Sequence, residues 1–117
     1  MGNICIVLKR PPYGTVDAAE AIRHALGGIT DDMEVRLLLV AGGVHAARKG
    51  HDTSATEYMS IEDGIKDCID MGVVVSIEKG SMTEADIAGE DLIEGVTMAS
   101  GTEIAEIIKQ SDTAMIF

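Results

Sequence analysis

Three short apolar runs, each closed by a break and followed by a helical pattern, constrain this chain more than any other feature. Ile4 to Leu8 is unbroken, Val35 to Val40 is interrupted only by Arg36, and Val73 to Ile77 carries a single serine, Ser76. A strand with water on one face alternates apolar and polar residues. A strand that is apolar at nearly every position is covered on both faces, which is the habit of parallel sheets. Parallel neighbours cannot be joined by a hairpin and need a crossover, usually a helix.

The intervening segments supply such crossovers. After Arg10-Pro11-Pro12-Tyr13-Gly14 stops the first run, Thr15 reads as an N-cap with Asp17 in the first turn. Val16, Ala19, Ile22, Leu26 and Ile29 then recur at helical spacing until Gly27-Gly28 weakens the pattern. Thr30-Asp31-Asp32 is a turn, and Ala41-Gly42-Gly43 leaves the second strand toward a short helical segment, Val44 to Lys49. A polar stretch, His51 to Tyr58, follows. Ser60 with Asp63 three residues on opens another helix, with Ile61, Ile65, Cys68 and Ile69 on one stripe and Gly72 as its stop. Glu78 to Ser81 leaves the third strand, and Thr83 to Asp86 forms a short capped turn. Val96 to Ala99 is a short strand, Thr102 caps a helix carrying Ile104, Ile107 and Ile108, and Ala114 to Phe117 is the last strand. The expected fold is α/β: one domain over residues 1–117, three layers, α/β/α, around a five-stranded, mostly parallel sheet.

The chain's 117 residues are enough for one core without disulfides or metal. With three aromatic residues, Tyr13, Tyr58 and Phe117, that core is built from Ile, Val, Leu, Met and Ala. A formal charge of −11 repels phosphate backbones and anionic lipid headgroups, so neither direct nucleic-acid binding nor membrane binding is expected. No apolar run approaches the roughly 18 residues of a membrane span, and no signal-peptide pattern opens the chain; the expected location is cytoplasmic. Cys5 and Cys68 stand far apart, and there is no C-x-x-C or Cys/His cluster, so neither a disulfide framework, a metal site nor a cofactor is expected.

In open α/β sheets ligands gather outside the carboxyl ends of the strands. The loops there are Lys9 to Thr15, Ala41 to His45 and Glu78 to Met82, and Lys9, Arg10, Arg48, Lys49 and Lys79 lie in or just beyond them, five of the chain's nine basic residues. Candidate ligand-binding residues are Arg10, Tyr13, Gly14, Gly42, Gly43, His45, Lys79 and Gly80, an edge able to hold a small anion. The plainer reading is that loops carry polar residues anyway and that Gly42-Gly43 is a turn, since no phosphate-binding glycine motif is present. Cys68 is the candidate catalytic nucleophile, although its stripe with Ile61, Ile65 and Ile69 argues for a buried, inert thiol. Cys5 reads as buried in the first strand. His24 is expected in solvent, while His45 and His51 flank the second exit loop as proton-transfer candidates with no nucleophile obviously paired to them.

Pro12-Tyr13-Gly14-Thr15 after the first strand, Ala18-Ala19-Glu20-Ala21 in the first helix, and Gly43-Val44 after the second strand together resemble the DsrE/DsrF/TusC group of sulfur-relay proteins, above all its DsrF and TusC branch. The resemblance continues through Thr83 to Gly95 and the closing Ser111-Asp112-Thr113-Ala114 before Phe117. It implies a five-stranded parallel sheet in an α/β/α fold, and assembly into dimers, trimers or hexamers. It further implies sulfur-relay protein partners and a part in persulfide transfer for sulfur oxidation or tRNA thiolation. In the DsrE and TusD branch a cysteine near the end of the third strand carries the persulfide. Counted from Gly72, that position falls at about Glu78, and no cysteine stands near it.

The reading that follows is a DsrF-like sulfur-relay or accessory protein acting through a homo-oligomer, without covalent chemistry of its own. The alternatives are a small-anion or nucleotide-binding module using Arg10, Gly42, Gly43 and Lys79, and a thiol enzyme using Cys68.

Overall fold

The computed structural model describes residues 2–51 and 60–117; residues 52–58 of the polar stretch lie outside them. The apolar runs become β1 (Asn3–Leu8), β2 (Glu34–Leu39) and β3 (Val74–Glu78), joined by β4 (Thr97–Ala99) and β5 (Thr113–Ile116). All pair in parallel, in the spatial order β4-β3-β2-β1-β5. The sheet grows from β1 in one direction as the chain advances, and the last strand returns to close β1's other side. Asn3 and Asp112 fasten that closure, each side chain accepting a hydrogen bond from the other's backbone amide (3.0 and 2.7 Å).

The two sheet faces are covered unequally. Ile4, Ile6, Leu8, Val35, Leu37, Leu39, Val75 and Ile77 point into the larger core, under α1 (Asp17–Thr30) and α2 (Ile61–Asp70). Cys5, Val7 and Leu38 point the other way, toward Ile104 of α4 (Gly101–Gln110). The strict alternation of a strand sends neighbouring residues to opposite faces, so an unbroken apolar run serves both layers. Beyond α4 this second face leaves Val74 and Ile116 exposed, the latter by 64%. No helix among the described residues is long and apolar enough to cross a membrane.

Helix α1 buries small residues beside its expected stripe, of which Ile22 is buried and Ala19, Leu26 and Ile29 pack against the core. The buried positions are Ala18, Ala21, Ile22, Ala25 and Gly28, whereas Val16 is 70% exposed. Small residues let the helix axis approach the sheet: a Cβ added at Gly28 would lie 2.9 Å from Val35 Cγ2. Gly27-Gly28 therefore marks a close approach, and the helix runs on to Thr30. Thr15 does receive the Asp17 amide (3.3 Å), but Val16 is the residue flanking the helix. His24, expected in solvent, is half-buried against Phe117, their ring centroids 5.5 Å apart.

Other boundaries also shift. The helical segment after β2 is a 3-10 turn over Ala41–Ala47, and α3 (Lys79–Glu84) starts directly at the end of β3 instead of at Thr83, whose hydroxyl donates back to the Lys79 carbonyl (3.0 Å). Ser60 caps α2 as expected, accepting from the Asp63 amide at 3.2 Å. Helix α4 is capped by Ser100, not Thr102. Ser100 Oγ accepts from the Glu103 amide (3.1 Å), and Glu103 Oε1 accepts from the Ser100 amide (3.0 Å). The Ser100 amide, with the Ser100 hydroxyl adding to it, holds the Glu103 carboxyl below its usual range. Ser100→Ala should cost about 1 kcal/mol in urea unfolding at unchanged m-value, while Ser100→Asp should retain most of the stability.

Candidate functional site

The carboxyl ends of β1, β2 and β3 converge through close backbone contacts. The Val40 amide donates to the Leu8 carbonyl (3.0 Å), and the Gly43 amide turns back to the Val40 carbonyl (2.8 Å). At Gly43 a Cβ would sit 2.0 Å from the Leu8 carbonyl oxygen, so only glycine fits. Ala41 between them has φ +48°, a left-handed conformation costing roughly 1 kcal/mol for a residue with a Cβ. Ser81 of α3 holds it there. Its hydroxyl accepts from the Ala41 amide (2.9 Å) and donates to Glu78 Oε1 (2.5 Å), tying the second exit loop to the end of β3.

Beside this junction opens a cavity of about 300 Å³, lined by Pro12, Tyr13, His45, Arg48, Lys49, Gly50 and His51. Its walls are fixed from behind. Ile93 donates to the Ala47 carbonyl and Lys49 to the Asp91 carbonyl, both at 2.8 Å, zipping residues 47–49 against 91–93. Tyr13 Oη lies 2.8 Å from His51 Nδ1 and accepts from the Ile61 amide (3.1 Å), and the two rings meet edge to face at 5.5 Å. Glu62 Oε1 accepts from the Gly50 and His51 amides (both 2.9 Å), and its Oε2 pairs with Lys66 (3.2 Å). Burial pushes the Glu62 carboxyl up, but the two amides and Lys66 outweigh it and hold the group ionised below its usual range. A second cavity of similar volume, lined by Ala41, Gly42, His45, Ser81, Glu84 and Ala85, shares the His45 wall.

The cysteines lie elsewhere. Both are fully buried, Cys5 in the core under α4 and Cys68 in the core under α1 and α2, on opposite sheet faces. Burial, with the Asp67 carboxylate adding to it, pushes the Cys68 thiol up to about 11. Burial likewise raises Cys5, partly offset by a hydrogen bond with Ser111.

Of the residues singled out from the sequence, Tyr13 and His45 share the basic cavity, and Gly42 joins His45 in its neighbour. Arg10 stands apart, exposed and paired with Asp17 at 3.1 Å. Gly14 is exposed in the first exit loop, Gly43 is a packing residue, and Lys79 and Gly80 form the exposed first turn of α3. Arg48, Lys49 and His51 complete the cavity. The cluster of basic residues after β2 was the available signal for them. The Glu78–Ser81 link escaped notice because an acid followed three residues later by a serine is too common a spacing to stand out.

The DsrE/DsrF-like family model matches residues 2–117. The chain is 29% identical to the uncharacterized protein MJ0989 of Methanocaldococcus jannaschii over 113 residues, 96% of each chain. It is 25% identical to the intracellular sulfur oxidation protein DsrF of Allochromatium vinosum over 111 residues, covering 92% of this chain and 82% of that one. Among solved structures, the ychN protein of Escherichia coli superposes with a TM-score of 0.90 over all of both chains at 24% identity, which shows the shared fold. With a family match along its whole described length and a sheet of the same architecture, the chain belongs to the DsrE/DsrF-like family.

Proposed function

We propose that this chain is a subunit of a sulfur-relay assembly that supports persulfide transfer without carrying the sulfur itself. The observation that carries the reading is a strand end without a thiol. Where the DsrE branch has its cysteine, the end of β3 has Glu78 hydrogen-bonded to Ser81, and both cysteines of this chain are fully buried. The similarity to DsrF of Allochromatium vinosum supports the sulfur context. The homo-oligomeric part of the proposal is supported by β5, an edge strand whose Ile116 side chain is exposed beside an incompletely covered sheet face.

Native protein treated with a persulfide donor is expected to keep its intact mass, with no gain of about 32 Da, while urea-unfolded protein gains it. Light scattering after size exclusion is expected to give a dimer or larger assembly, alone or with a cysteine-bearing family member from the same cell. A stable native adduct would overturn the non-carrier assignment. A monomer that also ignores the cysteine-bearing homologue would overturn the assembly.

A further inference from the structure

We propose that the cavity between the β1 and β2 exit loops is a binding site for a small tetrahedral oxyanion of sulfur or phosphorus. The chain has 20 carboxylates and nine cations, yet among the described residues the wall of this cavity carries Arg48, Lys49, His45 and His51 and no carboxylate. Neither Arg48 nor Lys49 makes an ion pair with a described residue; Lys9, Arg36, Lys79 and Lys109 share that state, but none of those four lines this cavity. The carboxylate bonded to the loop among the described residues, Glu62, is occupied by the Gly50 and His51 amides and by Lys66. Two exposed cations, adjacent in sequence, thus line one hollow with no carboxylate partner among the described residues.

The donors available are side chains. The amides of Lys49, Gly50 and His51 already donate to Asp91 and Glu62, so they fix the wall and leave recognition to the guanidinium, the ammonium and the imidazoles. An anion selects the His51 tautomer with its proton on Nε2, and Tyr13 Oη, 2.8 Å from Nδ1, accommodates that tautomer by donating to Nδ1. At about 300 Å³ the cavity is at the lower limit of ligand clefts. Among the described residues its apolar groups are Pro12 and a Tyr13 ring already packed on His51, which offer a nucleobase no free platform and suit an inorganic anion. The proposal does not depend on the sulfur-relay reading, and the two fail in different experiments.

Calorimetric titration of the full chain with thiosulfate, sulfate and phosphate, at ionic strength held constant with chloride, tests it. Saturable binding of at least one is expected, weakened about tenfold or more by the double variant Arg48→Gln/Lys49→Gln and also weakened by His45→Gln. Lys109→Gln, on α4 and away from the cavity, controls for overall charge and should leave binding unchanged. Tighter binding of thiosulfate or sulfate identifies a sulfur ligand, and tighter binding of phosphate a phosphorus one. Absence of saturation with all three anions overturns the proposal, as does an equal loss in Lys109→Gln or undiminished binding by a folded double variant.

Discussion

Gly43→Ala is expected to lower the melting temperature by more than about 10 °C, corresponding to a loss of at least about 3 kcal/mol. A Cβ there would stand 2.0 Å from the Leu8 carbonyl oxygen and 2.7 Å from its carbon, and both are backbone atoms inside the β1–β2 pairing. A flexible side chain could swing aside; a carbonyl in a parallel ladder can move only by breaking the bond it accepts from Val40. Gly42→Ala is the informative neighbour. Its Cβ would meet Pro11 Cδ at 3.0 Å and the Lys9 carbonyl oxygen at 3.3 Å, contacts that small loop adjustments relieve, so its cost should stay near 1 kcal/mol or about 4 °C. Thermal unfolding of the two variants side by side checks the argument, and equal losses would contradict it.

The second large effect concerns Cys68. A shift from 9.0 to about 11 leaves roughly a hundredfold less thiolate near pH 8, and full burial adds to the protection. Labelling of native Cys68 by a thiol reagent at pH 8 should therefore be at least about 100-fold slower than in urea. The same shift has a stability consequence whose sign is set by the folded state preferring the neutral thiol. That contribution is complete below pH 9 and is lost as pH rises from 9 through about 11, amounting to roughly 2–3 kcal/mol. Urea midpoints measured across that range should fall less steeply in Cys68→Ala than in the parent. Matching slopes, or native labelling as fast as unfolded labelling, would show that the thiol is accessible.

The architecture was largely readable in the chain because the three central strands, β1, β2 and β3, are short, mostly apolar runs bounded by turn residues. What the pattern hid were the places where small residues matter. On α1 the expected stripe holds at Ile22, Leu26 and Ile29 and fails at Val16, while Ala18, Ala21, Ala25 and Gly28 complete the buried face, since proximity to the sheet favours lack of volume. Capping posed a similar problem at α4, where Ser100 and Thr102 are both plausible and only the reciprocal bond from Glu103 decides.

The strand-end rule led to the edge where the cavity opens and drew in Tyr13 and His45. It could not rank the basic residues along that edge. Arg10 is diverted by Asp17, and Lys79 enters a helix because β3 passes into α3 without a loop, whereas Arg48 and Lys49 are turned to the cavity by a distant pairing with residues 91–93. That pairing joins segments more than 40 positions apart and leaves no local trace.

The place of β5 beside β1 also affects how the protein is made. β1 is made before β2 and β3, which can join it in one sheet and gather α1 and α2 before β5 is synthesised. The outer edge of β1, carrying the Ile4-Cys5-Ile6-Val7-Leu8 segment, has no partner until residues 113–116 arrive. Until then an apolar, β-rich segment shows open hydrogen-bonding groups. Whatever shields a nascent chain in the cell has a long task at the outer edge of β1.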